Sequence, residues 1–247
     1  VLAVVLGSST YAFTIMLATF LLGLALGSAA YKKILEKRPA RASEWAWLQL
    51  IIAASALVAL PFYERIGIFT VRLFALTIDE PAFLEVGRLL TCGALMFIPT
   101  FCFGAIFPVS TALYTQDPNA IGRDVGRLYL SNTAGNIAGS LAAGFLLIPL
   151  VGIHKTILAA AILGSLVGLA ALWNSSKEPA KRLAALALCG LVLAPGLWAN
   201  RQGWDPRVLT SGLYIRPHGS VAKNTVDILS WLYDVQNLYY REGLNCV

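Results

Sequence analysis

Apolar runs recur six times along this sequence, at residues 10–31, 45–62, 89–113, 125–150, 156–173 and 183–199. Each is near the roughly 20 residues with which an α-helix crosses about 30 Å of hydrocarbon. In lipid every backbone N–H and C=O must find a partner within the protein, and a helix meets that demand inside a single segment. The runs therefore predict an all-α, polytopic transmembrane helix bundle with six visible spans. Composition agrees: the chain is 57% hydrophobic and 13% charged, against about 45–50% and about 25% in soluble domains.

The charges collect between the runs. Residues 32–43 carry Lys32, Lys33, Lys37, Arg38 and Arg41 against Glu36 alone, which marks a cytoplasmic loop. Residues 61–85 mix Arg65 and Arg72 with Glu64, Asp79, Glu80 and Glu85, as an external loop does, and 66–78 can lie there as an interfacial helix. The connection "NSSKEPAKR" is basic again and therefore cytoplasmic. Alternation then places residue 200 onward outside. Arg201, Arg207 and Arg216, behind a short last run holding Pro195 and Gly196, argue the other way, so the side of the tail stays open. The net charge of +6 belongs to this orientation signal; membrane lipids, not nucleic acid, are the expected partners.

Three Gly-x-x-x-Gly pairs lie within the runs: Gly23 with Gly27, Gly135 with Gly139, and Gly164 with Gly168. Such pairs let helix backbones meet closely where lipid removes the hydrophobic drive between helices. The stretch "SNTAGNIAGSLAAG", residues 131–144, adds Asn132 and Asn136 one turn apart. Its small residues and amides are expected on a buried face, hydrogen-bonded to a neighbouring helix, with a ligand pocket as the alternative. Leucine at 135 or 139 would then damage folding or assembly.

No chemistry-bearing constellation stands out, and no catalytic, cofactor-binding or metal residue is assigned. No Asp, Glu, Lys or His lies near the middle of a run, where ion paths and proton relays keep them. His154 and His218 sit beside glycines in a short loop and in the tail, with no second metal ligand implied. Cys92, Cys102 and Cys189 fall in apolar runs and read, with Cys246, as small hydrophobes. Pro99 and Pro108, with Gly93 and Gly104, are expected to break the third run, for packing or as the frame of a transport site. Arg123, Asp124 and Arg127 anchor the start of the fourth. The terminal "NLYYREGLNCV" has the aromatic and turn-residue mix of a first strand in a water-soluble β-structure.

Four blocks follow in order: "GSSTYAFTIMLATFLLGLALGS", "FIPTFCFGAIFPVS", "GRDVGRLYLSNTAGNIAGSLAAGFLLIPLVGI" and "WDPRVLTSG" leading to "LYYREG". This order resembles the membrane-integrated spermidine synthase-like proteins of bacteria, in which a multi-span region precedes an aminopropyltransferase-like domain. The resemblance implies a transmembrane helical domain over residues 1–199. Residues 200–247 would be a linker and the truncated start of the soluble domain, and a seventh span would lie upstream. It implies a multi-pass protein of the bacterial cytoplasmic (inner) membrane that anchors a catalytic domain missing from this chain. The family's donor substrate is decarboxylated S-adenosylmethionine, held by a glycine-rich strand-to-helix turn. No such turn occurs here, and Asp205, Asp227, Asp234 and Glu242 stand outside any such framework, so no cofactor or catalytic residue is carried over.

Two other readings stand beside it. One is a non-catalytic accessory membrane subunit, packed against other subunits or itself within a larger complex. The other is a transporter of polyamines or another small solute. The membrane region also resembles half of a major facilitator transporter, whose Gly-x-x-x-Asp-Arg turn "GSAAYKK" after the first run would match except that Tyr31 holds the acidic position.

Overall fold

A computed structural model describes residues 10–76, 81–115, 117–175, 179–201 and 204. The strand-like tail, His218, Cys246 and the four tail carboxylates lie outside them. Every described element is helical: α1 (Thr10–Leu35), α2 (Ala42–Leu76), α3 (Pro81–Tyr114), α4 (Ile121–Leu141), α5 (Ile148–Val151), α6 (Ile153–Ser175) and α7 (Pro179–Ala199). A 3₁₀ turn at Pro118–Ala120 leads into α4, and a π-helical stretch at Ala142–Leu147 joins α4 to α5. Five segments are long and apolar enough to cross a membrane: Thr10–Leu35, Ala42–Tyr63, Leu89–Tyr114, Pro118–Val151 and Ile153–Ser175. This is a membrane protein built of helices. The sixth run is the helix α7.

The contacts give the order of packing. In α1 the buried positions Ala12, Thr19, Gly23, Gly27 and Tyr31 form one stripe at helical spacing, and it lies along α3. A Cβ added at Gly23 would fall 2.0 Å from the Thr100 hydroxyl, and one at Gly27 would fall 1.9 Å from the Phe101 carbonyl oxygen. The fit is reciprocal, since a Cβ at Gly104 would fall 2.2 Å from the Leu24 carbonyl oxygen. The two helices therefore touch backbone to backbone, as membrane helices do where small residues face each other. Residue numbers rise together along this seam, so α1 and α3 run parallel.

Between them in sequence, α2 runs the other way. Trp45 at its start donates to Ser110 at 3.0 Å near the end of α3, while Ile66 packs with Cys92 near the start of α3. It also runs antiparallel to α6: Ala46 and Leu50 meet Leu172, and Leu57 and Leu60 meet Ala161. Gly164 faces Gln49 and Ala53, and Gly168 faces Leu50 and the Ala46 carbonyl. Cys189 of α7 joins the same cluster as Ala46 and Leu50. All three described cysteines are free and buried, as small apolar fillers.

Two expectations are corrected. Pro99 and Pro108 do not break the third span, because Pro81–Tyr114 is one helix. Each proline removes one N–H from the ladder, and hydroxyls nearby bond carbonyls of the same turns: Thr100 to Met96 at 2.7 Å, Ser110 to Ile106 at 2.8 Å and Thr111 to Phe107 at 3.0 Å. The loop expected from Pro61 is also absent, since α2 continues through Pro61 to Leu76. At 35 residues it is about 52 Å long, well beyond the hydrocarbon layer.

The fourth crossing stands apart. Of its most apolar window 0% is buried, against 22% to 33% in the other four. It meets the bundle near its two ends, through an edge contact of Tyr129 with Phe107 and through the turn at Gly152. Gly152 has φ 86°, in the region open to glycine, and its N–H returns to the Ile148 carbonyl to end α5. Just before it, Pro149 lacks an N–H, and the widened π-helical turn takes up the mismatch.

Gly27→Ala is expected to destabilise the protein by about 1–3 kcal/mol, since the added methyl must push α1 off α3. Gly139→Ala, in open space, is expected to leave the melting temperature in detergent unchanged. An unchanged melting temperature for Gly27→Ala would contradict the seam.

Candidate functional site

The residues singled out for helix packing divide in two. Gly23 and Gly27 lie in the α1–α3 seam, and Gly164 and Gly168 lie against α2. Gly135 and Gly139 meet nothing within 4 Å, and Asn132 and Asn136 are exposed beside them. The buried face expected for residues 131–144 is thus open in the single chain. The physical reason is position: Gly152 swings α4 to the outside of the bundle, and no other described helix lies over it. The two amides line no pocket of this chain.

A second cluster was not foreseen. It forms where α2 passes Pro61, at the end of the bundle opposite the basic loop. Proline has no N–H, so the Leu57 carbonyl one turn earlier loses its helical donor. The Asn200 amide, at the end of α7, reaches it at 3.4 Å and the Gly196 carbonyl at 2.7 Å. With that nitrogen committed to carbonyls, Asn200 Oδ1 is an acceptor, and His154 Nε2 lies 3.2 Å from it as donor. Trp204 donates from its indole to the Leu60 carbonyl at 2.9 Å. Its ring meets His154 edge-on at 5.0 Å and Tyr63 at 5.8 Å. His154 and Asn200 are both buried. The histidine weighed as a metal ligand is therefore engaged with the Asn200 amide beside Pro61. No group of three His, Cys, Asp or Glu side chains that could hold a metal occurs among the described residues.

The geometry also bears on the side of the tail. Asn200 and Trp204 pack against Leu57 and Leu60, at the end of α2 away from Lys32–Arg41. At the basic end, Arg182 of α7 lies over the Trp173 ring at 4.7 Å. The tail beyond residue 204 lies outside the described residues.

A third cluster ties the basic loop. Tyr31 donates to the Glu44 carboxylate, Arg38 pairs with the same group, and the Arg41 N–H reaches it at 3.3 Å. Glu44 also lies in the first turn of α2, where the helix dipole favours a negative charge. The acid missing from the transporter-like turn at Tyr31 is thus supplied by the next helix. Tyr31 is buried with Ala105 and Val109 of α3, so this one carboxylate links three helices.

In both clusters the polar side chains bond to neighbouring groups of the same chain and tie helices to one another. One signal for the Pro61 cluster was present in the sequence: a proline in an apolar run leaves a carbonyl that needs a donor. Which of several polar residues would supply it, about 140 positions later, was not readable. Compared with known proteins, the chain matches no family model, no curated protein and no solved structure.

Asn200→Ala is expected to cost about 1–3 kcal/mol, by leaving buried polar groups unpaired. In a Pro61→Ala background the restored N–H can serve Leu57, and the same substitution should cost clearly less. A double-mutant cycle in detergent measures that coupling, and strict additivity of the two changes would rule out the shared carbonyl.

Proposed function

We propose that this chain works as an assembly domain in the membrane, a non-catalytic unit that packs against another membrane protein through its fourth crossing. The observation that carries this reading is the outward face of α4. Asn132 and Asn136 point away from the bundle, one turn apart and flanking Gly135. In hydrocarbon an unpartnered amide is costly, whereas an amide bonded across a helix pair contributes about 0.6–2 kcal/mol. Gly135 and Gly139 allow the close backbone approach that such a bond needs. The same arrangement holds α1 to α3 inside the chain.

The ordered sequence blocks support a placement of this unit among bacterial spermidine synthase-like membrane proteins, with α4 inside the longest block. On that reading the region sits in the bacterial inner membrane with the basic loop in the cytoplasm, α7 makes a sixth crossing, and the helices anchor rather than catalyse. Aminopropyl transfer from decarboxylated S-adenosylmethionine would belong to a soluble domain. The transporter reading loses both of its motives, since the third span is continuous and the paired asparagines face outward.

The test is the mass of the particle extracted from native membranes in mild detergent. The intact protein is expected in a particle larger than one chain, and Gly135→Leu with Asn136→Leu is expected to release it as a single chain of unchanged melting temperature. A wild-type protein that always runs as one chain would refute the proposal.

A further inference from the structure

Between its two ends the fourth crossing lies open: every residue from Tyr129 to Leu141 is exposed. The crossing runs from Pro118 to Val151, so Asn132, Gly135, Asn136 and Gly139 stand around its middle, the depth farthest from water. No water serves the two amides there, and neither has a hydrogen bond among the described residues. Ser140 spends its hydroxyl on the Ile137 carbonyl of its own helix at 3.0 Å. From the chemistry of this surface we infer that its occupant is the fourth crossing of a second copy of this chain, laid parallel against it about a two-fold axis. The inference rests on the assembly role proposed for α4 and names the partner.

In a two-fold interface the same patch meets itself, so its central residues face their own copies and must be compatible with themselves. α4 carries an unbroken ridge of such residues. Ser131, Asn132, Gly135, Asn136, Gly139 and Ser140 form successive pairs one turn apart, with the glycine spacing of a right-handed crossing. Glycine against glycine lets backbones touch, and an amide holds both donors and an acceptor, so asparagine answers asparagine. An unrelated partner would need no such self-compatibility and could be met by charge or bulk. Leu130, Ile137 and Leu141 fall on the opposite side of the helix, where they suit lipid tails. Insertion gives every copy the same orientation, so the two crossings meet parallel, as α1 and α3 do inside the chain. The cost is the like charge of Arg123 and Arg127 at the basic end. With helices crossing at about 40°, their axes are about 10 Å farther apart at Arg127 than at the crossing point, on the order of a Debye length. Asp124, 3.7 Å from Arg123, offsets that charge further.

Two copies of the full chain with different affinity tags are co-expressed in a heterologous host, extracted in mild detergent and captured through one tag. The second tag is expected to come with the first. Asn136→Leu should raise the concentration at which the pair dissociates about tenfold. Gly139→Leu should abolish pairing, and Ile137→Ala, on the opposite side, should leave it unchanged. All three variants should keep the melting temperature of the single chain, because these positions are exposed in it. In oxidised membranes Ser140→Cys should yield a disulfide-linked dimer that the wild type does not, since the axis brings residue 140 near its copy. Absence of the second tag, while the particle from native membranes still exceeds one chain, would overturn the second copy and leave the assembly role standing with a different partner. A native particle of one chain would end both. Pairing unmoved by Gly139→Leu, pairing lost with Ile137→Ala, or a Ser140→Cys chain that forms no dimer would each overturn the ridge as the interface.

Discussion

Backbone contact between α1 and α3 is the interaction on which the bundle depends. Lipid tails are as apolar as leucine, so two helices gain nothing by hiding leucines from them. What remains is dispersion between closely fitted surfaces and polar contact across the gap, and both fall steeply with distance. Gly23, Gly27 and Gly104 bring the helices close enough that carbonyls of one lie over the glycines of the other. Once this parallel pair is set, α2 can lie antiparallel to α3, with Trp45 on Ser110 at one end and Ile66 on Cys92 at the other. The outer side of α2 is then free to take α6 and α7.

Proline is the second constraint, and it is met in two ways. In α3 the hydroxyls of Thr100, Ser110 and Thr111 bond the Met96, Ile106 and Phe107 carbonyls, close to the Leu95 and Gly104 carbonyls from which Pro99 and Pro108 withhold a donor, and the helix runs on through both prolines. In α2 the Leu57 carbonyl that Pro61 leaves without a helical donor is met by Asn200, and Trp204 bonds the Leu60 carbonyl beside it, both distant in sequence. The difference explains why one irregularity is self-contained while the other gathers His154 and Tyr63 around it.

Much of the architecture was legible in the sequence, because in a bilayer apolar length alone nearly dictates a helix. Five long apolar helices follow from that rule, and the glycine seams at 23 and 27 and at 164 and 168 from small-residue spacing, whereas the side of Asn200 stayed open because Arg201, Arg207 and Arg216 argue against alternation. Helix continuity through Pro61, Pro99 and Pro108 was not legible, since a proline in an apolar run shows which N–H is lost but not whether the helix goes on beyond it. The face of α4 was misread for a related reason. Small residues and amides at helical spacing show that something comes close, but not whether it belongs to the same chain. Gly135 and Gly27 look alike in sequence, and only the turn at Gly152 separates their fates.

The bond from Asn200 to the Leu57 carbonyl spans 143 residues. At synthesis rates of about 5–20 residues per second, α2 must wait roughly 7–30 s in the membrane before its last partner emerges. During that interval the Leu57 carbonyl lacks the Asn200 amide, and Tyr63 lacks the indole that later packs against it. Insertion of α2 and completion of α2 are therefore separate events. A chain interrupted before residue 200 leaves the Leu57 carbonyl without the amide that meets it in the finished fold, so the last turn of assembly in α2 is decided by residues made long after it.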